Sequence, residues 1–106
     1  MDSLMQPLVE RSAECRQLVD EKTDFVFSDP NHRLNPEYQE HRLMKLAPIR
    51  KDVYVHDARI RAYHQELRNG LRVSTFSLRA TFEGFDEKVQ EYTKKVETLI
   101  NKIETL

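Results

Sequence analysis

Four histidines, His32, His41, His56 and His64, cluster in the middle of a 106-residue chain that carries one cysteine, Cys15. A metal held between helices calls for Glu-x-x-His or His-x-x-x-His, spacings that put two ligands on one helix face. Neither occurs: His56 and His64 are eight residues apart, and Glu37 precedes His41 by four. Eight residues leave the two imidazoles about 80° apart around a helix, with Ile60 between them, and no metal is expected. His56 sits on an apolar stripe. There a neutral imidazole packs and an imidazolium does not, so it reads either as a satisfied core histidine or as a pH-sensitive joint. Cys15 cannot form an intramolecular disulfide and lies on an apolar helix face, which makes it packing material rather than a nucleophile. No phosphate-loop, dinucleotide-loop, nucleophile-elbow or His-Glu-x-x-His signature is present. No catalytic residue and no cofactor site can be named. The nearest approach to a pocket is Arg59, Tyr63, His64 and Arg68, which would line a site between helices if the chain were a free-standing helical-bundle enzyme or ligand-binding domain.

The bulk chemistry is equally restrained. Lys+Arg number 17 against Asp+Glu 18, so no net field drives the chain onto nucleic acid or an anionic membrane. Arg50-Lys51 and Lys94-Lys95 are short basic runs, and Tyr54, Tyr63 and Phe76 are not interleaved with a basic stripe, so nucleic-acid binding is not expected. Residues 1–27 hold three basic and six acidic side chains, and residues 28–70 hold eight and six. The sequence has neither a basic leader with an apolar h-region nor a stretch approaching 18 apolar residues, and it cannot staple itself with disulfides. It reads as soluble and intracellular, with cytoplasm and nucleus indistinguishable.

The elements that carry these residues are helices. Only 39% of the chain is apolar and 33% is charged, with two glycines and four prolines, too few turn-formers for an all-β fold. Residues 1–27 form a first amphipathic helix, with Asp2 or Ser3 as N-cap and Pro7 tolerated near the first turn. Its seam is Leu4, Leu8, Cys15, Leu18 and Phe25, flanked by Glu14 and Glu21. Ser28-Asp29-Pro30-Asn31 ends it, and residues 28–35 are a loop. Asn35-Pro36-Glu37 then supplies a cap, a first-turn proline and an acid at the positive end of the dipole. A long helical region over 36–106 follows. Pro48 either kinks it or restarts it, and Leu46, Ile49, Val53, His56, Ile60, Tyr63 and Leu67 make a three-four stripe beyond. Asn69-Gly70 permits two readings: a C-cap ending one helix, or a glycine inside a continuous rod costing about 1 kcal/mol. The fold class is all-α, either an elongated helical hairpin or a coiled coil with a long C-terminal helix.

The last third carries the clearest pattern. Leu78, Phe82, Phe85, Val89, Tyr92, Val96, Leu99, Ile103 and Leu106 alternate steps of four and three, the 3.5-residue period of a helix that keeps one seam against another helix. Phe82, Val89, Val96 and Ile103 fall at a; the rest fall at d. Lys88, Lys95 and Lys102 all fall at g, where a parallel homodimer would set them against Thr93 and Ile100, and an antiparallel one against each other. Neither arrangement makes an ion pair, so a different helix with acidic flanks is favoured, whether the first helix of the same chain or a separate subunit. From sequence, then, the chain is expected to be a non-enzymatic structural or scaffold subunit that pairs with other helical chains in a multiprotein complex, as a hetero-oligomer rather than a homodimer.

Overall fold

The computed structural model describes residues 2–70 and 84–106, and among them it shows helix and no strand. Helix α1 spans Asp2–Ser28, α2 Pro30–Arg33, α3 Pro36–Gly70 and α4 Phe85–Glu104. Three of these pack lengthwise in an up-down-up bundle, and α2 is a single turn inside the connection between α1 and α3. At 1.5 Å per residue, the 35 residues of α3 make a spine of roughly 52 Å.

Local chemistry sets the ends. Asp29 takes an extended ψ of 127° ahead of Pro30, since the proline ring excludes the α conformation for the residue before it. The start of α3 is capped by Asn35, whose Oδ1 accepts the Tyr38 amide at 3.3 Å. Pro36 occupies the position where no amide is needed. The helix runs through Pro48 without a break. Pro48 and Met44 both lie on the exposed side of the helix, where a carbonyl that loses its helical donor is least costly. Gly84 precedes α4 with a φ of 73°, a left-handed conformation that side chains resist.

Direction is fixed by contacts between distant residues. Arg11 meets Glu97, and Lys22 meets the Ile103 carbonyl, so α1 and α4 run parallel. Phe85 stacks on Tyr63, and Tyr92 meets His56 edge-on, so α4 runs antiparallel to α3. The chain therefore reverses between Gly70 and Gly84, and the continuous 46–106 rod is not formed. Leu78 and Phe82 lie outside the described residues.

The core draws on all three long helices: Met5, Leu8, Cys15, Val19 and Val26 from α1, Leu46, Val53, Ile60, Tyr63 and Leu67 from α3, and Val96, Leu99, Ile100 and Ile103 from α4. Fully burying an aliphatic side chain contributes about 1.5–3 kcal/mol, and this shared core holds the helices in place. In α1 the inward stripe is Met5, Leu8, Ser12, Cys15, Val19 and Val26, rather than the seam expected from apolar residues alone. Leu4 and Phe25 are half-exposed. The reason is Ser12, a polar residue in the middle of the buried stripe.

Candidate functional site

The α4 seam is built inward. Val96, Leu99 and Ile103 are buried, and Phe85, Val89, Tyr92 and Leu106 are half-buried against the same core. Lys88, Lys95 and Lys102 are exposed. Lys88 places its ammonium 4.6 Å from the Tyr63 ring centroid, a cation–π contact within its own chain. On the α1 side, Arg11 donates to both carboxylate oxygens of Glu97 at 2.8 and 3.2 Å. The Glu97 carboxyl is held below its usual range by those hydrogen bonds, and the guanidinium is raised in turn. Both groups are half-exposed, so the pair orients α1 against α4 more than it stabilises it. Lys22 Nζ caps the last turn of α4 through the Ile103 carbonyl at 2.8 Å.

The best-organised polar cluster is one that sequence reasoning missed. Asp57 is 1% exposed. Its Oδ1 accepts Ser12 Oγ at 2.9 Å, and its Oδ2 accepts Arg16 at 2.9 Å and Arg61 Nε at 2.9 Å. A buried carboxylate without such partners would cost several kcal/mol. The four residues come from two helices, so the cluster fixes the register of α1 on α3. A signal existed: Ser12 lies on a three-four repeat running Met5, Leu8, Ser12, Cys15, Val19, where a polar residue implies a buried partner. Both Asp57 oxygens are engaged, which suits a structural joint.

The histidines are dispersed. His56 is buried and its Nε2 lies 3.1 Å from the Tyr92 carbonyl, so that nitrogen donates. His32, buried in α2, has Nδ1 at 3.0 Å from an Asp29 carboxylate oxygen and stacks on Tyr38. No group of three metal-ligating side chains converges among the described residues. Cys15 is buried, and removal from water pushes its thiol up to about 11, opposite to what a nucleophile needs.

Of the group that would line an alternative pocket, Tyr63 is buried, Arg59 and Arg68 are exposed and His64 is half-buried. Two clefts lie elsewhere among the described residues. One of about 340 Å³ runs along the outer side of α1 and α3, lined by Thr23, Phe27, Leu43, Ala47, Arg50, Lys51 and Tyr54. Beside it Asp20 accepts Arg50 Nε at 2.9 Å and the Tyr54 hydroxyl. Partial burial pushes the Asp20 carboxyl up, but those two hydrogen bonds and the nearby guanidinium charges outweigh it and leave the carboxyl below its usual value. A second cleft of about 260 Å³ lies between α3 and the end of α4, lined by Tyr38, His41, Arg42, Lys45, Leu46, Thr105 and Leu106. Large apolar side chains remain in solvent around these surfaces: Leu34 is 83% exposed, Met44 68% and Phe27 57%. No helix among the described residues is long and apolar enough to cross a membrane. The chain matches no protein-family model, no curated protein and no solved structure, which leaves the geometry of its own surfaces as the guide to function.

Proposed function

We propose that the chain is a non-enzymatic structural subunit that assembles with other helical chains in a multiprotein complex. The observation that carries this reading is the placement of apolar surface. The strongest seam of the sequence is already closed inside the bundle by α1 and α3, yet Phe27, Leu34 and Met44 stand in water. Exposed side chains of that size, rimmed by charge and beside an apolar cleft, mark surfaces that pack against a partner. Pairing then uses the outward faces of α1 and α3, while α4 serves as the internal strut that stiffens them.

The test is sedimentation of the tagged chain in extract of its source cells, compared with a Phe27→Ser/Met44→Ser variant. The wild type is expected to travel in an assembly larger than two copies of the chain and the variant in none larger than that, with thermal midpoints within a few degrees. A wild-type chain that travels in extract as nothing larger than two copies of itself sinks the proposal.

A further inference from the structure

We infer that α3 is also a self-association surface, and that two copies of the chain pair through it as an antiparallel two-helix contact. The inference extends the assembly reading to a named partner, a second copy of this chain. Opposite the buried stripe of α3 runs a second stripe with the same alternation of fours and threes: Met44, Pro48, Lys51, Val55, Ala58 and Ala62, all exposed. Helices α1 and α4 pack behind α3 on the opposite side, and among the described residues nothing in the chain covers this face. Ala58 and Ala62 let a second helix come close, and the Lys51 stem covers apolar surface while its ammonium stays in water.

Charge says what covers it. Along one flank of the stripe, Lys45, Asp52, Arg59 and Glu66 follow one another at seven-residue spacing, alternating in sign. All four are exposed, and none makes an ion pair among the described residues. In an antiparallel pair, like flanks meet. With Val55 of one copy beside Ala58 of the other, Lys45 faces Glu66 and Asp52 faces Arg59, and two-fold symmetry repeats both contacts. Four opposite-charge pairs form and no like-charge pair on that flank.

Sliding the register by one heptad sets Asp52 against itself and Lys45 against Arg59, so the pattern selects register as well as orientation. A parallel pair would set Asp52 and Arg59 against Ala47 and Tyr54, and would turn Glu66 towards Arg61, whose Nε is already held by Asp57 at 2.9 Å. The antiparallel pair is therefore the one that uses every unpaired charge on the flank.

The experiment is sedimentation equilibrium of the full chain at low salt over a wide concentration range. The wild type is expected to reach a reversible monomer–dimer equilibrium. Asp52→Lys and Arg59→Glu, each alone, reverse two of the four pairs and should weaken self-association about tenfold. Mixing the two variants should restore a dimer near wild-type affinity, because in the mixed pair every substituted side chain meets an opposite charge. Thermal melts should match wild type, since neither side chain makes an ion pair among the described residues. A wild type that stays monomeric at several hundred micromolar overturns the inference, as does a dimer indifferent to both reversals. Neither result touches assembly with a different chain, which the extract experiment reads separately.

Discussion

Replacing Asp57 by alanine tests whether the buried cluster sets the register of α1 on α3. The substitution strands the Ser12 hydroxyl, which is 2% exposed, at about 1–3 kcal/mol for an unsatisfied buried group. It also releases Arg16 and Arg61, whose side chains are 37% and 56% exposed. Water can rehydrate both guanidiniums, so each release adds at most about 1 kcal/mol. The expected loss is about 2–4 kcal/mol, a large share of the roughly 5–15 kcal/mol that holds a small domain folded. Asp57→Asn keeps a carbonyl for Ser12 but turns an amide donor on Arg16 and Arg61, whose half-exposed guanidiniums can swing into water, so it should cost less than Asp57→Ala. Ser12→Ala placed on Asp57→Ala should then cost little more, because the hydroxyl stranded by the first change is gone. Urea unfolding followed by far-ultraviolet circular dichroism measures all of these, with unchanged slopes showing that the native state keeps its compactness. If Asp57→Ala costs under about 1 kcal/mol, or Asp57→Asn costs as much as Asp57→Ala, the cluster does not hold the helices together as argued.

Three further outcomes follow from the same geometry. The folded Cys15 thiol is pushed from 9.0 to about 11 by burial; above pH 9 the unfolded chain loses that proton first, so stability declines between about pH 9 and 11 at up to about 1.4 kcal/mol per unit. Cys15→Ala should remove this part of the alkaline slope, and identical slopes for the two proteins would show that the thiol is not the cause. Val96→Asp puts a carboxylate where a side chain is 1% exposed, and the bundle should lose about 3–5 kcal/mol and much of its cooperativity in a thermal melt; an unperturbed melt would mean that α4 does not pack on α1 and α3. Lys22→Met keeps the aliphatic stem but leaves the Ile103 carbonyl with only the Leu106 amide at 3.3 Å, so α4 should fray at its last turn at a cost of about 0.5–1 kcal/mol, read as faster amide hydrogen exchange over residues 101–105.

The all-α class was legible in the sequence because it rests on local quantities: few turn-formers, many charges and apolar residues at helical spacing. The Asn35 cap and the α4 stripe belong to the same kind of information, since each is complete within a few turns. Other features depend on residues far apart in the chain. Whether one helix runs unbroken from 46 to 106 turns on about 1 kcal/mol of local preference at Gly70, and the burial of Val96, Leu99 and Ile103 against α1 and α3 exceeds it several times over. The inward face of α1 was hidden for a related reason. Ser12 looks like a surface residue until Asp57, 45 positions later, arrives to accept its hydroxyl, while Leu4 and Phe25 look like core residues until the packed helices leave about half of each exposed.

The sequence by itself determined that one face of α4 must be buried, because nothing else satisfies a sustained apolar stripe in water. Only the tertiary structure decided that α1 and α3 of the same chain bury it. Reversal of the chain between Gly70 and Gly84 brings those helices within reach at no cost in translational freedom, whereas a separate partner would have to overcome that loss first.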